Sequence, residues 1–231
     1  MIHYFMKNDF HPDKLIRGLH VGLIPDGGRR WARKNNVSLI ESYTLSKTLL
    51  AEFVTRLFQE GVDEISIYLS SSQNYIREHH EVLAFSSIIH QALSEELKHL
   101  INQLGVKIVI AGNSSVLGNE SKELLNELTQ ASLKNENLRI NLCIAYNPLE
   151  EITQAQQHTK EKENFTDHLW VTKPLDLVIR TGDANLLSNF LPLQSGYARI
   201  FFSEKLFNDI SWEEIAQWII FYKELNRKYG D

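Results

Sequence analysis

Six short apolar runs alternate along the chain with stretches of helical periodicity, and this order constrains the fold more than any single motif. The runs are His20–Asp26, Glu64–Ser70, Val106–Ala111, Leu138–Tyr146, Leu175–Arg180 and Arg199–Ser203. They are rich in β-branched and aromatic residues and flanked by Gly, Pro or polar clusters, which predicts buried strands. Between them lie helical patterns. The first starts near Arg29 and breaks around Asn35-Asn36, and the second covers about Leu45–Gln59 before a Gly61 cap. A long amphipathic stretch, about Glu81–Leu104, ends at Gly105, and further helices are expected over about Ser121–Lys134 and Glu150–Glu163. Ser211-Trp212-Glu213-Glu214 reads as a capping box that opens the last helix, which runs towards Tyr229. Such alternation predicts an α/β fold: a mostly parallel sheet of about six strands, with helices on both faces. No repeat, low-complexity run or linker interrupts it, so residues 1–231 read as a single domain, with 1–18 as a weakly patterned lead-in.

The stretch Ile24-Pro25-Asp26-Gly27-Gly28-Arg29-Arg30-Trp31 joins the first strand to the first helix. Its glycines allow a sharp turn and close approach of a ligand to the backbone. A strand, a glycine turn and a helix start together present backbone N–H groups to an anion. Two guanidinium groups stand beside them, and guanidinium suits phosphate. Among these phosphate-binding groups the carboxylate of Asp26 is best explained as a holder of Mg²⁺, which takes one or two carboxylates plus phosphate oxygens. On local pattern alone a tight turn with surface arginines reads equally well. In open parallel sheets, however, ligands bind beyond the carboxyl ends of the strands. Three polar clusters fall there: Asp26 to Arg30, Ser70 to Arg77, and Arg180 to Ser188. That coincidence favours the phosphate site.

Composition removes several function classes. The net charge is −5, so non-specific nucleic-acid binding is not expected. The one cysteine, Cys143, excludes an internal disulfide and fits a reducing compartment. No run approaches the roughly 18 apolar residues of a membrane span, and the N-terminus lacks the apolar core of a signal peptide. A cytoplasmic protein with at most peripheral membrane contact is expected.

The chain resembles the undecaprenyl diphosphate synthases, the cis-prenyltransferase family, from His20 to Gly230. The resemblance rests on Asp26-Gly27 with Arg30-Trp31, on Ser71 with Asn74 and Arg77, on Asp176 to Gly182, on Ser188-Asn189-Phe190 and on the closing Tyr229-Gly230. It implies a homodimer, an allylic diphosphate donor (dimethylallyl, geranyl or farnesyl), an isoprenoid diphosphate acceptor and Mg²⁺. Carried over by residue, Asp26 handles Mg²⁺ and assists departure of the donor diphosphate. Gly27, Gly28, Arg29 and Arg30 cradle that diphosphate, Arg77 adds a contact, and Asn74 organises the reacting ends. Arg180 and Ser188 match contacts to the acceptor's diphosphate. An apolar tunnel for the hydrocarbon is implied, with Phe53, Leu57, Leu83, Phe85, Ile88 and Ile89 as candidates for its wall, although ordinary core is the better reading for most of them. Leu69 falls where long-chain relatives carry a small residue, so a short product, of about five to fifteen carbons, is expected.

The departures carry information as well. Gly28 stands where the family usually has Asn, Leu39 where it often has Arg, Tyr43 where it has His, and Tyr75 where it has Trp. Asn185 and Leu186 replace a His-Arg pair, Arg199 replaces a Glu, and Lys228 replaces the arginine of a closing Arg-x-Gly that reaches across the dimer. Arg199 partly replaces the missing acceptor-side guanidinium if it turns inward, and reads equally well as a surface strand residue. Pro25, Arg29-Arg30-Trp31, Val37-Ser38-Leu39, Tyr43 and Asn74-Tyr75 resemble relatives that make irregular, lavandulyl-type products. The expected activity is therefore short-chain or irregular prenyl transfer. A prenyl-diphosphate lyase or cyclase, a non-diphosphate acceptor and a non-catalytic partner subunit are the alternatives.

Overall fold

The computed structural model of the protein describes residues 18–72, 75 and 79–229. Six strands form one sheet: β1 (His20–Ile24), β2 (Glu64–Tyr68), β3 (Val106–Gly112), β4 (Leu138–Ile144), β5 (Leu177–Arg180) and β6 (Arg199–Phe202). They lie in the order β3-β4-β2-β1-β5-β6, and every neighbouring pair is parallel. β1 is central, with Val21 opposite Ile65 of β2 on one side and Leu177 of β5 on the other. The carboxyl ends of β1, β2 and β5 therefore emerge side by side.

Side chains alternate between two cores, as the two-residue period of a strand requires. Val21, Leu23, Ile65, Ile67, Leu177 and Ile179 face one way, onto Phe53 and Leu57 of the helix α2 (Leu39–Gln59). Ile24, Cys143 and Val178 face the other way, onto Val171, Phe190 and Leu191 of the chain around β5. Each fully buried Leu, Ile or Phe contributes roughly 1.5–3 kcal/mol. The first core therefore clamps α2 to the sheet and fixes where its N-terminal half stands.

Helix ends depart from the expected ones for identifiable reasons. The helix α1 (Gly28–Asn35) stops at Asn36, whose positive φ of 54° ends it. α2 begins at Leu39, earlier than the expected Leu45, because Ser38 and Glu41 form a full capping box. The long helix is composite: α3 (His79–Gln91), a π-helical segment (Ala92–Leu97) and α4 (Lys98–Leu104). α5 (Asn119–Ala131) follows β3. α6 is shorter than expected, Pro148–His158, with Asn147 as its cap and Pro148 in its first turn. α7 (Trp212–Tyr229) closes the chain.

Candidate active site

A cavity of about 1180 Å³ opens at the carboxyl edge of the sheet. The loop after β1 and the turn after β5 interlock to build its floor. Asp26 N donates to Thr181 Oγ1 at 2.9 Å, and the Thr181 hydroxyl donates back to Asp26 O at 3.0 Å. Two glycines make this interlock possible. Gly27 has φ 117°, and a Cβ there would stand 2.8 Å from Leu206 Cδ2 and 3.1 Å from Leu206 Cα. Gly182 has φ 91°, and its Cβ would meet Arg30 Nη2 at 2.7 Å. L side chains rarely adopt either conformation. Gly27 gives α1 no side-chain cap, and the N–H groups of a first helical turn lack intrahelical partners.

Asp26 lies between two arginines. Arg180 Nη2 donates to its Oδ2 at 2.9 Å, and Arg30 Nη2 stands 3.4 Å from its Oδ1. Arg30 also donates to Gly182 O. The Arg180 side chain is 6% exposed, against 39% for Asp26. Arg180 Nη1 donates to Leu186 O at 2.6 Å and to Ser188 Oγ at 2.7 Å, and Tyr68 donates its hydroxyl proton to Ser188 O at 2.9 Å. Burial pushes the Tyr68 hydroxyl up to about 12, so it stays a donor at neutral pH. These bonds hold Ser188 and Asn189 at positive φ of 52° and 61°, a strained backbone of the kind found at ligand sites.

Gly28, Arg29, Tyr43, Leu69 and Ser71 line the same cavity, alongside Asp26, Gly27, Arg30, Arg180 and Ser188. Arg33 and Tyr68, which are not among the residues expected from sequence, line it too. Arg33 follows Arg29 by one helical turn, a spacing that does put both on one face. Tyr68, inside a strand, carried no such signal.

A second, apolar cavity of about 170 Å³ adjoins the first between α2, the long composite helix and the sheet. Pro25, Gly28, Tyr43, Leu69 and Phe85 line both cavities. Tyr43 meets Phe85 edge-on, with ring centroids 6.0 Å apart. A Cβ at position 28 would stand 3.0 Å from Tyr43 Cε1, so Gly28 and Tyr43 are packed as a pair. Of the residues expected to wall an apolar tunnel, Phe85, Ile88 and Ile89 line this cavity. Phe53 and Leu57 belong to the core instead, and Leu83 is exposed.

Two expected site residues stand elsewhere. Trp31 turns away from the cavity, and its Nε1 donates to Asp209 Oδ1 at 2.7 Å. Arg199 is exposed and begins β6 opposite Leu177, whereas Phe202 stands opposite Arg180. At about 3.3 Å per residue, Arg199 lies roughly 10 Å below the strand ends. It therefore does not replace the missing acceptor-side arginine within its own chain. Asn74 and Arg77 lie outside the described residues, as does Gly230, and the side chain of Lys228 is not described.

Tyr146, also in the cavity wall, is held from behind by the buried Glu151. Glu151 accepts from Tyr146 Oη at 2.5 Å, from Val171 N at 3.1 Å and from Gln194 Nε2 at 3.3 Å. Burial nevertheless holds its carboxyl above the ordinary value of 4.5. The folded chain then binds this proton more tightly than the unfolded one. The associated stability is present below pH 4.5 and is lost as the pH rises through the raised value. Glu151→Gln stays neutral at every pH. Its melting temperature relative to the wild type should therefore climb as the pH rises above 4.5, corresponding to about 1.4 kcal/mol per unit of pKa elevation. A difference that stays flat in thermal scans across that range would contradict the elevation.

A parallel α/β sheet whose strand ends gather arginines around one carboxylate, with an apolar cavity beside them, is suited to an anionic head carrying a hydrocarbon tail. The family model for undecaprenyl diphosphate synthases matches residues 24–230, and the chain belongs to that family, the cis-prenyltransferases. It is an isoprenyl transferase by that membership. It is 31% identical to the ditrans,polycis-undecaprenyl-diphosphate synthase of Haemophilus influenzae, named as specific for (2E,6E)-farnesyl diphosphate, with 91% of this chain and 94% of that one covered. It is 28% identical to an isoprenyl transferase of Campylobacter jejuni, covering 91% of this chain and 97% of that one. Among solved structures it is similar to lavandulyl diphosphate synthase from Lavandula x intermedia in complex with dimethylallyl diphosphate. There the TM-score is 0.81 at 25% identity, with 88% of this chain and 94% of that chain covered.

Proposed function

We propose that this protein transfers a short allylic group, dimethylallyl in size, from its diphosphate to an isoprenoid diphosphate acceptor, in a short-chain or head-to-middle condensation. The observation that carries this reading is the apolar cavity of about 170 Å³ beside the arginine-lined one. An engineered apolar cavity of about 150 Å³ in another protein holds a single benzene. Space of this size takes a five-carbon tail and leaves little for a fifteen-carbon one. The likeness to a lavandulyl diphosphate synthase complexed with dimethylallyl diphosphate points the same way.

In this reading the donor diphosphate lies against the start of α1, with Arg29, Arg30 and Arg33 around it and the tail past Tyr43 into the apolar cavity. Cleavage of the allylic C–O bond puts negative charge on the departing diphosphate, which guanidinium and N–H dipoles already in place stabilise. The apolar wall keeps water from the allylic cation. Asp26 would hold Mg²⁺. Among the described residues no cluster of three or more His, Cys, Asp or Glu forms a protein-only cage. A lone carboxylate facing a phosphate cavity fits an ion that takes one or two carboxylates with substrate oxygens and water. That ion would neutralise charge on the diphosphate oxygens.

The acceptor side supports a second reading. Both terminal nitrogens of Arg180 are engaged within the chain, and Arg199 lies away from the cavity. An acceptor without a diphosphate, or a lyase or cyclase using the donor alone, fits that arrangement. Incubating the protein with Mg²⁺ and dimethylallyl, geranyl or farnesyl diphosphate, each with and without isopentenyl diphosphate, separates these cases by product. The proposal expects dimethylallyl diphosphate to be the preferred donor, with coupled products. Efficient elongation of farnesyl diphosphate would defeat it.

Leu69 lines both cavities, so shortening it joins them more widely. Leu69→Ala is expected to raise the use of geranyl relative to dimethylallyl diphosphate by about tenfold, the scale of one or two methylenes in a pocket. An unchanged donor ratio would remove Leu69 as a length determinant. A homodimer and a cytoplasmic location are part of the same proposal. β6 is the sheet's edge, and Ile200 and Phe202 on it and Ile220 and Phe221 on α7 are exposed apolar residues that a second copy would cover. No helix among the described residues is long and apolar enough to cross a membrane.

A further inference from the structure

The wall of the apolar cavity is built from two helical stripes that face each other. α2 contributes Tyr43, Leu50, Ala51 and Val54 at the spacing of one helix face, and in the middle of that stripe stands Lys47. The opposite stripe runs from Phe85 to Leu100, and towards its C-terminal end stands Glu96. A cation and an anion are thus set against each other where both faces are otherwise apolar, apart from Ser46. The Lys47 side chain is 9% exposed. Its ammonium donates to Glu95 Oε2 at 2.7 Å and stands 3.5 Å from Glu96 Oε1. Both carboxylates belong to the π-helical segment Ala92–Leu97, and such segments recur at functional sites.

A lysine can bury its four-carbon stem along apolar surface while its head finds charge or water. Here the stem forms cavity wall and the head ties α2 to the π-helical segment at the cavity's flank. A small aliphatic residue would seal nothing at this place, and an unpaired lysine would leave for solvent. We infer that Lys47, pinned by Glu95 and Glu96, closes the side of the apolar cavity and sets the length of prenyl chain it accepts.

This inference rests on the proposal that the apolar cavity holds the donor's tail, and the test keeps the two apart. The intact enzyme is assayed with dimethylallyl and geranyl diphosphates as donors, and kcat and KM are measured for each in the wild type, Lys47→Ala and Lys47→Arg. Lys47→Ala is expected to raise the geranyl-to-dimethylallyl ratio of kcat/KM at least about tenfold, chiefly through a lower KM for geranyl diphosphate. Lys47→Arg keeps a long stem and the charge, and should hold the ratio near the wild-type value. If Lys47→Ala does not fold, the double variant Glu95→Gln with Glu96→Gln releases the lysine without changing the bulk around it, and the same rise is expected. A wild type that uses dimethylallyl diphosphate, with a ratio unmoved in the folded variants, overturns the role of Lys47 alone. A wild type that neither binds nor turns over any allylic diphosphate overturns the prenyl reading and this inference together.

Discussion

Asp26→Ala is expected to lose at least about a hundredfold in turnover, the scale of removing one electrostatic group from a preorganised site. Asp26 lies just beyond the end of β1 and faces both Arg30 and Arg180. Its carboxylate is partly exposed to the cavity, so a divalent ion can reach it without unfolding the loop. The loss should fall on kcat. Arg29, Arg30 and Arg33 remain to bind the donor diphosphate, and a neutral residue at 26 removes a like charge that opposes it. KM for the donor should stay level or fall. Asp26→Asn is the sharper variant, since it preserves shape and can still accept from Arg180. Its residual rate should no longer respond to added Mg²⁺ in a titration over the range that saturates the wild type. Turnover close to wild type in Asp26→Asn would take Asp26 out of the mechanism.

The fold was legible because its signals are local and repeated. All six strands stand where the apolar runs place them, and helices stand between the successive strands from β1 to β5, as a parallel sheet requires, while a loop joins β5 to β6. What the sequence hid depends on contacts between distant segments. α2 begins ahead of its apolar stripe, because the cap formed by Ser38 and Glu41 and not the stripe sets its start. The π-helical segment Ala92–Leu97 has no composition signal of its own. In the site, the glycine loop and its arginines were readable from spacing alone. Arg199 was not, because only the register of β6 on β5 shows that it sits at the far end of its strand. Trp31 shared the motif's helix but not its face, and a partner 178 positions away, Asp209, decides its direction. Gly28 and Tyr43, both expected departures from the family pattern, pack against each other: a Cβ at position 28 would stand 3.0 Å from the Tyr43 ring.

Arg180→Ala should damage the site as a whole and not its acceptor half alone. The family resemblance implies a contact from Arg180 to the acceptor's diphosphate, and in the structure its guanidinium braces Asp26, Leu186 and Ser188 against one another. It holds Asp26 after β1, Leu186 O in the following loop, and Ser188 in its strained conformation. Breaking a buried ion pair costs about 3–5 kcal/mol. Asp26 is 39% exposed and can turn to water, so a smaller cost of roughly 1–3 kcal/mol is expected here. For a chain of this size each kcal/mol moves the melting temperature by about 2–4 °C, so a fall of about 2–12 °C should be seen. Without the brace, Ser188 and Asn189 are expected to relax to negative φ, and Asp26 loses its closest cation. Turnover should then fall at least about tenfold at saturating donor and saturating acceptor alike. Arg180→Lys restores charge but not the planar fork that reaches Asp26 and Ser188 together, so it should recover stability better than turnover. The decisive measurement is the pattern across both substrates. A rise confined to the acceptor's KM, with kcat and melting temperature unmoved, would show that Arg180 releases its internal bonds readily and serves as a phosphate clamp after all.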